Sequence, residues 1–395
     1  MKLTNSHFLY IIVMIIKKYK KFLESKKVDM WESIPNSIKE LVKIFSNKGK
    51  KLYLVGGAVR DFLKGDDPKD FDLCTDANPN EIIDIIGPSY KTNLQGSAFG
   101  VVVVYTNDQP DGIEIATFRS DEYDGKSRNP KVQYTTIDKD VQRRDLTINS
   151  LFYDLDKREV VDLVGGISDL DDKMIRMVGD PSQRILEDPL RILRVCRFAY
   201  RYGYTIHKDT KDAIISEKKS LSRITRERIW EEIKKSFGYK KNFKDYLTII
   251  KDLELLEEIF PGLKLNKDLV ESDSIEVHIA NILKENDPTK LEKNLILTLK
   301  IESSVSSKVC FLIRMTSLSP ENAFLLYKER NKNHVDSDLI LDWGRIIQMD
   351  NSLLKAFVDY KPTVSAEELM ERGFKGPDLG REIMRLETDK FKDMI

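Results

Sequence analysis

The sequence predicts an α+β fold: a small domain with a mixed sheet and flanking helices, followed by an all-helical remainder. Three observations carry this expectation. Short strand-like runs at 51–55, 71–74, 99–105, 112–118 and 151–154 alternate with helical signals in the first part of the chain. After about Gly166 the strand signals fade and apolar residues recur at helical spacing. At 395 residues, the chain has room for two to four compact units, each with its own core.

Taken in order, Ile34, Ile38, Leu41, Val42 and Phe45 repeat every three to four positions, and 51–55 reads as a buried strand running into Gly56-Gly57. Pro79 suits the start of a helix reaching Ile86. Residues 191–198, 225–237 and 246–259 carry the helical period, with breaks at Pro261-Gly262, Asp287-Pro288, Ser319-Pro320 and Lys361-Pro362. The apolar run 8–16 is about half of the ~20 residues needed to span a bilayer, and the lysines that follow it reverse the order of a secretory signal. No membrane association is expected. Residues 1–29 read as an extension, either a helix packed on the body or translated upstream sequence. The complete domain opening after Met30 favours the second.

Composition removes several classes of chemistry. Lys+Arg and Asp+Glu both total 65, so any nucleic-acid surface must arise from locally segregated charge. Cys74, Cys196 and Cys310 lack metal-ligand spacing and disulfide density, which suits a reducing, cytoplasmic location. The four histidines, His7, His207, His278 and His334, are scattered. Catalysis is therefore sought among carboxylates and arginines.

Five segments carry such groups. Gly56 and Gly57 end a strand and open a helix, where backbone N–H groups can approach phosphate and Arg60 can neutralise it; alone, this is also an ordinary turn. In Asp70-Phe71-Asp72 the alternation of a strand points both carboxylates one way and Phe71 the other, a repulsive pair that a hard cation such as magnesium would relieve. The plain alternative is a pair of turn aspartates. Glu114 lies between Ile113 and Ile115, where a carboxylate is costly unless paired or metal-bound; it reads as a third metal carboxylate or as a partner for an arginine. In 142–149, read as a helical turn, Asp145 and Asn149 share a face toward ribose hydroxyls while Arg144 reaches phosphate; a simple helix cap by Asp145 or Thr147 is the other reading. In 184–198, Asp188 suits an N-cap and Pro189 a first helical position, placing Arg191, Arg194 and Arg197 on successive turns; a capped helix with a solvated basic face is the alternative.

Four of these segments, 56–61, 70–72, 143–149 and 187–191, resemble in this order and spacing the class II tRNA nucleotidyltransferase and poly(A) polymerase family, and CCA-adding enzymes most closely. The resemblance runs from about Met30 to the C-terminus. It implies a polymerase-beta-like palm as the nucleotidyltransferase head over 30–165, a helical neck over 166–242, a body over 243–320 and a tail over 321–395. It also implies that Asp70 and Asp72 are the catalytic carboxylates that bind Mg2+; Glu114 joins the catalytic set as a candidate on the reading of its own strand, outside the resemblance. Gly56, Gly57, Arg60 and Arg144 would contact the triphosphate, and Asp145 and Asn149 would lie near the ribose. Asp188 and Arg191 would read the incoming base with Glu187 steadying them, and Arg194 and Arg197 would extend the nucleotide site. Residues 222–228 resemble the segment that fixes the neck. The implied partners are tRNA, held at its 3′ end and elbow, with CTP and ATP as substrates and no stable protein partner.

The base-reading couple makes physical sense by itself. Cytosine and adenine present an amino donor beside a ring-nitrogen acceptor, so Asp188 can accept and Arg191 donate, whereas uracil and guanine would leave both groups unpaired. The expected reaction is template-independent addition of C, C and A to the tRNA 3′ end with release of pyrophosphate, magnesium activating the primer hydroxyl without a protein nucleophile. Residues 120–134, with Glu122, Tyr123, Asp124, Arg128 and Pro130, resemble the loop that lets full CCA enzymes switch from C to A. Residues 365–386 resemble a tail that holds the tRNA elbow, or an ordinary helix-loop-helix. No His-Asp dyad follows the neck, so no phosphohydrolase activity is expected. Poly(A) or A-only addition is the first competing reading, and a non-catalytic RNA-binding relative the second.

Overall fold

A computed structural model of the chain describes residues 30–68, 70–122, 131–239 and 241–395. The expectations for 1–29 and for Tyr123, Asp124, Arg128 and Pro130 fall outside the described residues. The chain forms two compact units, one through Glu217 and one from Lys218. The segment expected to read bases lies wholly in the first. No helix among the described residues is long and apolar enough to cross a membrane.

In the first unit, α1 (Asn36–Asn47) buries Ile38, Leu41, Val42 and Phe45, the face its spacing predicts. Next come β1 (Leu52–Val55), α2 (Gly57–Lys64), β2 (Asp72–Thr75), α3 (Pro79–Ile86), β3 (Lys91–Asn93), β4 (Val101–Tyr105) and β5 (Ile113–Thr117). Asn78 caps α3 through a reciprocal capping box with Glu81, and Pro79 occupies its first turn. After β5 come β6 (Arg119–Glu122), β7 (Lys131–Tyr134), α4 (Ile137–Gln142), β8 (Phe152–Asp154), β9 (Glu159–Val161), α5 (Gly166–Asp171) and β10 (Met174–Ile175). The unit closes with α6 (Pro181–Glu187), α7 (Leu190–Tyr202), β11 (Thr205–Ile206) and α8 (Lys208–Glu217).

Seven strands form one mixed sheet in the order β3-β4-β5-β2-β1-β8-β9, in which β2 runs parallel to β5 and antiparallel to β1. Strand alternation separates two cores. Leu52, Leu54, Leu73, Ile113 and Ile115 pack with α1 and α3 on one face, while Tyr53, Val55, Cys74 and Phe118 meet Val141 and Phe152 on the other. Each fully buried Leu or Ile there contributes roughly 1.5–3 kcal/mol from area removed from water. The short strands β3, β6, β7, β9, β10 and β11 gave no clear signal, because runs of two to four residues are too brief for periodicity to register.

The second unit is helical among its described residues. Helix Arg226–Phe237 buries Ile229, Trp230 and Ile233. Helix Ile275–Leu283 is buried almost all round, Val277 and Ile279 included, while Ser303–Met315 buries its C-terminal part, Val309 and Phe311 included. Asp287 caps the helix that begins at Pro288. Arg226, in the segment expected to fix the neck, donates to the carbonyl of Glu258 at 2.8 Å. Residues 365–386 form a helix-loop-helix, Ala366–Glu371 and Gly376–Lys392, with Gly373 at φ 94° between them. All three cysteines are buried and free. His278 packs against Phe243 with its Nε2 2.9 Å from the Ser272 carbonyl.

Candidate active site

The strand expected from Phe71 begins at Asp72, so Asp70 lies two residues before it, outside any strand. Phe71 packs toward the helical core, its ring centroid 6.4 Å from that of Phe62. Asp72 is the first residue of an interior strand, opposite Val55 on β1, and shares a face with Cys74. The parallel register Leu73 to Ile115 sets Asp72 beside Glu114. Glu114 is exposed, so the burial cost expected from its isoleucine neighbours does not arise; those side chains point to the opposite face. Asp72 keeps solvent contact, yet partial desolvation, then Glu114 and Asp70, push its carboxyl up to about 6, with Arg144 opposing them.

This crowding of like charge suits a hard divalent cation. Among the described residues no group of three or more His, Cys, Asp or Glu side chains closes into an ion cage. A cation at Asp70 and Asp72 would complete its shell from water or phosphate, as magnesium commonly does.

Gly56 adopts φ 71° and ψ −121°, a conformation suited to glycine alone, and turns the chain from β1 into α2. Arg60, one turn into α2, is 3% exposed. It donates through Nε to Asp61 Oδ1 at 2.8 Å and through Nη1 to Asn149 Oδ1. Its guanidinium carbon lies 5.5 Å from the Phe198 ring and 5.0 Å from the Tyr202 ring, both on α7. No sequence feature gives Asp61, Phe198 and Tyr202 a role beside Arg60, since a ring clamp between two helices leaves no local signature.

The segment 142–149 departs from the expected helical turn. α4 stops at Gln142, Leu146 is extended, and only Thr147–Asn149 form a 3-10 turn, so Asp145 and Asn149 do not share a helical face. Thr147 caps nothing; its hydroxyl donates to Asp169 at 2.7 Å. Asn149 meets Arg60, and Asp145 accepts from Arg194. Arg144 donates to Asp140 Oδ2 through Nε at 2.9 Å, lies 3.3 Å through Nη2 from Cys74 Sγ, and sits 4.8 Å over the Phe152 ring. Burial pushes the Cys74 thiol up to about 11, which keeps it neutral against that guanidinium.

On α7 the alternative of a solvated basic face does not hold for Arg191 and Arg197, which are 8% and 7% exposed. Arg197 lies over the Phe198 ring at 4.6 Å. Asp188 is extended, its Oδ1 accepts from the Leu190 N–H at 3.3 Å, and Pro189 is the residue at the cap. Arg191 donates through Nη1 to the Arg184 carbonyl at 2.7 Å and Glu187 Oε2 at 2.9 Å, and through Nη2 to the Arg143 carbonyl at 2.8 Å. Three of its five N–H groups are thereby engaged, which fixes the guanidinium plane and leaves two donors.

Residues 52–176 match the family described as "Poly A polymerase head domain", and residues 203–266 match "Probable RNA and SrmB- binding site of polymerase A". The chain is 33% identical over 264 residues to Poly(A) polymerase I of Salmonella typhi, covering 64% of this chain but only 55% of that one. It is 32% identical over 320 residues to the CCA tRNA nucleotidyltransferase 1, mitochondrial, of Homo sapiens, covering 75% of this chain and 70% of that one. The solved Thermotoga maritima CCA-adding enzyme complexed with tRNA_CCA superposes with a TM-score of 0.63 at 20% identity, covering 90% of each chain, and so shares the fold. With 32% identity reaching across 70% of the human relative, the chain belongs to the tRNA nucleotidyltransferase and poly(A) polymerase family.

Proposed function

We propose that the protein is a CCA tRNA nucleotidyltransferase, adding C, C and A to the tRNA 3′ end from CTP and ATP and releasing pyrophosphate. The observation that carries this reading is the crowding of Asp72 by Asp70 and Glu114 in the same compact unit as an Arg191 already fixed by three acceptors. The longer match to the human relative than to the Salmonella polymerase favours CCA addition. Asp70 and Asp72 would hold magnesium, which when bound supplies positive charge to the primer hydroxyl and the α-phosphate. Glu114 raises the negative potential at that point. Gly56 and Gly57 offer backbone N–H groups to the triphosphate, and Arg60 and Arg144 place positive charge behind it. Asp145 and Asn149 flank the ribose side. Asp188 accepts the base amino hydrogen while Arg191 donates to the ring nitrogen, and Glu187 keeps Arg191 from rotating. Arg194 and Arg197 border the nucleotide. The tail helices hold the tRNA elbow, and the cytoplasm is the proposed compartment.

Incubation of tRNA lacking its 3′ end with each NTP, and with mixtures, tests this reading. A product that stops after CCA and depends on magnesium is expected. An unbounded A tail would instead establish poly(A) polymerase, the reading that the Salmonella relative favours, and no incorporation at all would leave a non-catalytic relative.

A further inference from the structure

Asp140 sits in α4 with its side chain fully shielded from solvent. Its Oδ1 accepts from Arg143 Nε at 2.9 Å and Nη2 at 2.6 Å, and from the backbone N–H of Arg119 at 3.1 Å. Its Oδ2 accepts from Arg144 Nε at 2.9 Å and lies 2.8 Å from Arg144 Nη2 as an ion pair. One carboxylate thus holds two consecutive guanidinium groups and the start of β6. Despite the cost of burial, Arg144 and Arg143 keep this carboxyl below the usual range, so it stays charged near neutrality.

The two arginines lead in different directions. Arg144 continues to Cys74 Sγ, two residues along β2 from Asp72. Arg143 turns its carbonyl to Arg191 Nη2 at 2.8 Å. Of the three acceptors that fix Arg191, this is the one supplied from outside the 184–191 stretch, so it ties the base-reading helix to the sheet side of the unit.

We propose that Asp140 is a positioning residue for nucleotide selection: by clamping Arg143 and Arg144 it sets the carbonyl that orients Arg191 and, through Arg144, keeps that setting in register with the Asp72 strand. The inference rests on the reading that Asp188 and Arg191 select the base. An asparagine at this position would keep the shape but lose the charge, and its amide hydrogens would face a guanidinium in place of an acceptor. The segment would relax and Arg191 with it. A shift of about 1 Å in an orienting group can cost on the order of a hundredfold in rate.

The test is the ratio of kcat/KM for CTP over UTP on tRNA lacking CCA, measured for wild type, Asp140→Asn, Arg191→Lys and the double variant. The fraction of active protein cancels in this ratio, so a merely structural loss leaves it unchanged. We expect Asp140→Asn to lower it about tenfold, and the double variant to fall no further than Arg191→Lys, as two residues acting along one path should. If Arg191→Lys lowers the ratio and Asp140→Asn does not, or if the two effects multiply, the proposal is overturned while the base-reading couple stands. If Arg191→Lys leaves the ratio at the wild-type value, the base-reading assignment fails and takes this proposal with it. Should Asp140→Asn not fold, Arg143→Lys, which cannot make the same two-point contact, carries the same expected fall and the same refutation.

Discussion

Asp145 and Arg194 form a two-point ion pair, with Oδ2 2.7 Å from Nε and 2.5 Å from Nη2, joining the bend after α4 to the second turn of α7. Burial alone would raise the Asp145 carboxyl, but Arg194 outweighs it and holds the group below the usual range. Its stabilising contribution is therefore present above the unfolded value near 4 and is lost as pH falls through the depressed folded value. Arg194→Ala should cost about 2 kcal/mol at pH 7 by leaving this carboxylate unpaired. Thermal denaturation across pH should show that deficit narrowing below about pH 4.

Asp72 has the opposite sign. Its folded carboxyl, pushed up to about 6, binds protons more readily than the unfolded one, so stability falls as pH rises from about 4 to 6 and the penalty is fully in force above. Asp72→Asn should raise the melting temperature by about 2–4 °C at pH 8 and change it little at pH 4. Incorporation should drop on the order of a thousandfold. A variant melting below wild type at pH 8 would contradict the crowding of Asp72 by Glu114 and Asp70.

Gly166 is the first residue of α5, and a Cβ there would lie 2.3 Å from the Thr147 carbonyl oxygen and 2.9 Å from Leu151 Cδ2. Backbone cannot yield as a side-chain tip can. Gly166→Ala should cost about 2–3 kcal/mol. Because the 3-10 turn it displaces carries Asn149, incorporation by the remaining folded protein should fall as well, read by active-site titration against melting.

In the second unit, Glu387 is 1% exposed and accepts from the Tyr360 hydroxyl at 2.7 Å and from the N–H groups of Thr363 at 2.8 Å and Val364 at 2.6 Å. Glu387→Ala would leave these donors without their acceptor, a loss of about 2–3 kcal/mol. Amide exchange at Thr363 and Val364 should accelerate while exchange in the first unit stays unchanged.

Much of this was legible because it is local. The periodicity of Ile38, Leu41 and Phe45 set α1, the Asn78-Pro79 start set α3, and the alternation around Asp72 set which way its carboxylate points. What sequence spacing left open was pairing between distant elements. Nothing near Arg60 announces Phe198 and Tyr202, and the isoleucines around Glu114 suggested burial where a one-sided strand gives exposure. Asp140 did leave a trace, since it precedes Arg143 and Arg144 by three and four residues, the separations that meet on a helical turn. The expected turn over 142–149 failed because Leu146 is extended and bridges to Met177 instead of continuing α4.

The rings that clamp Arg60 belong to the same helix that carries Arg191. If Arg191 selects the base and Arg60 meets phosphate, as proposed, nucleotide choice and phosphate handling are not interchangeable parts in this protein. Grafting that helix from a relative with a different base preference would swap the selector and, in the same stroke, unseat an arginine of the glycine turn. A change of specificity would need compensating changes at Phe198, Tyr202 and Asp61, and lineages altering one without the others would pass through poorly active intermediates.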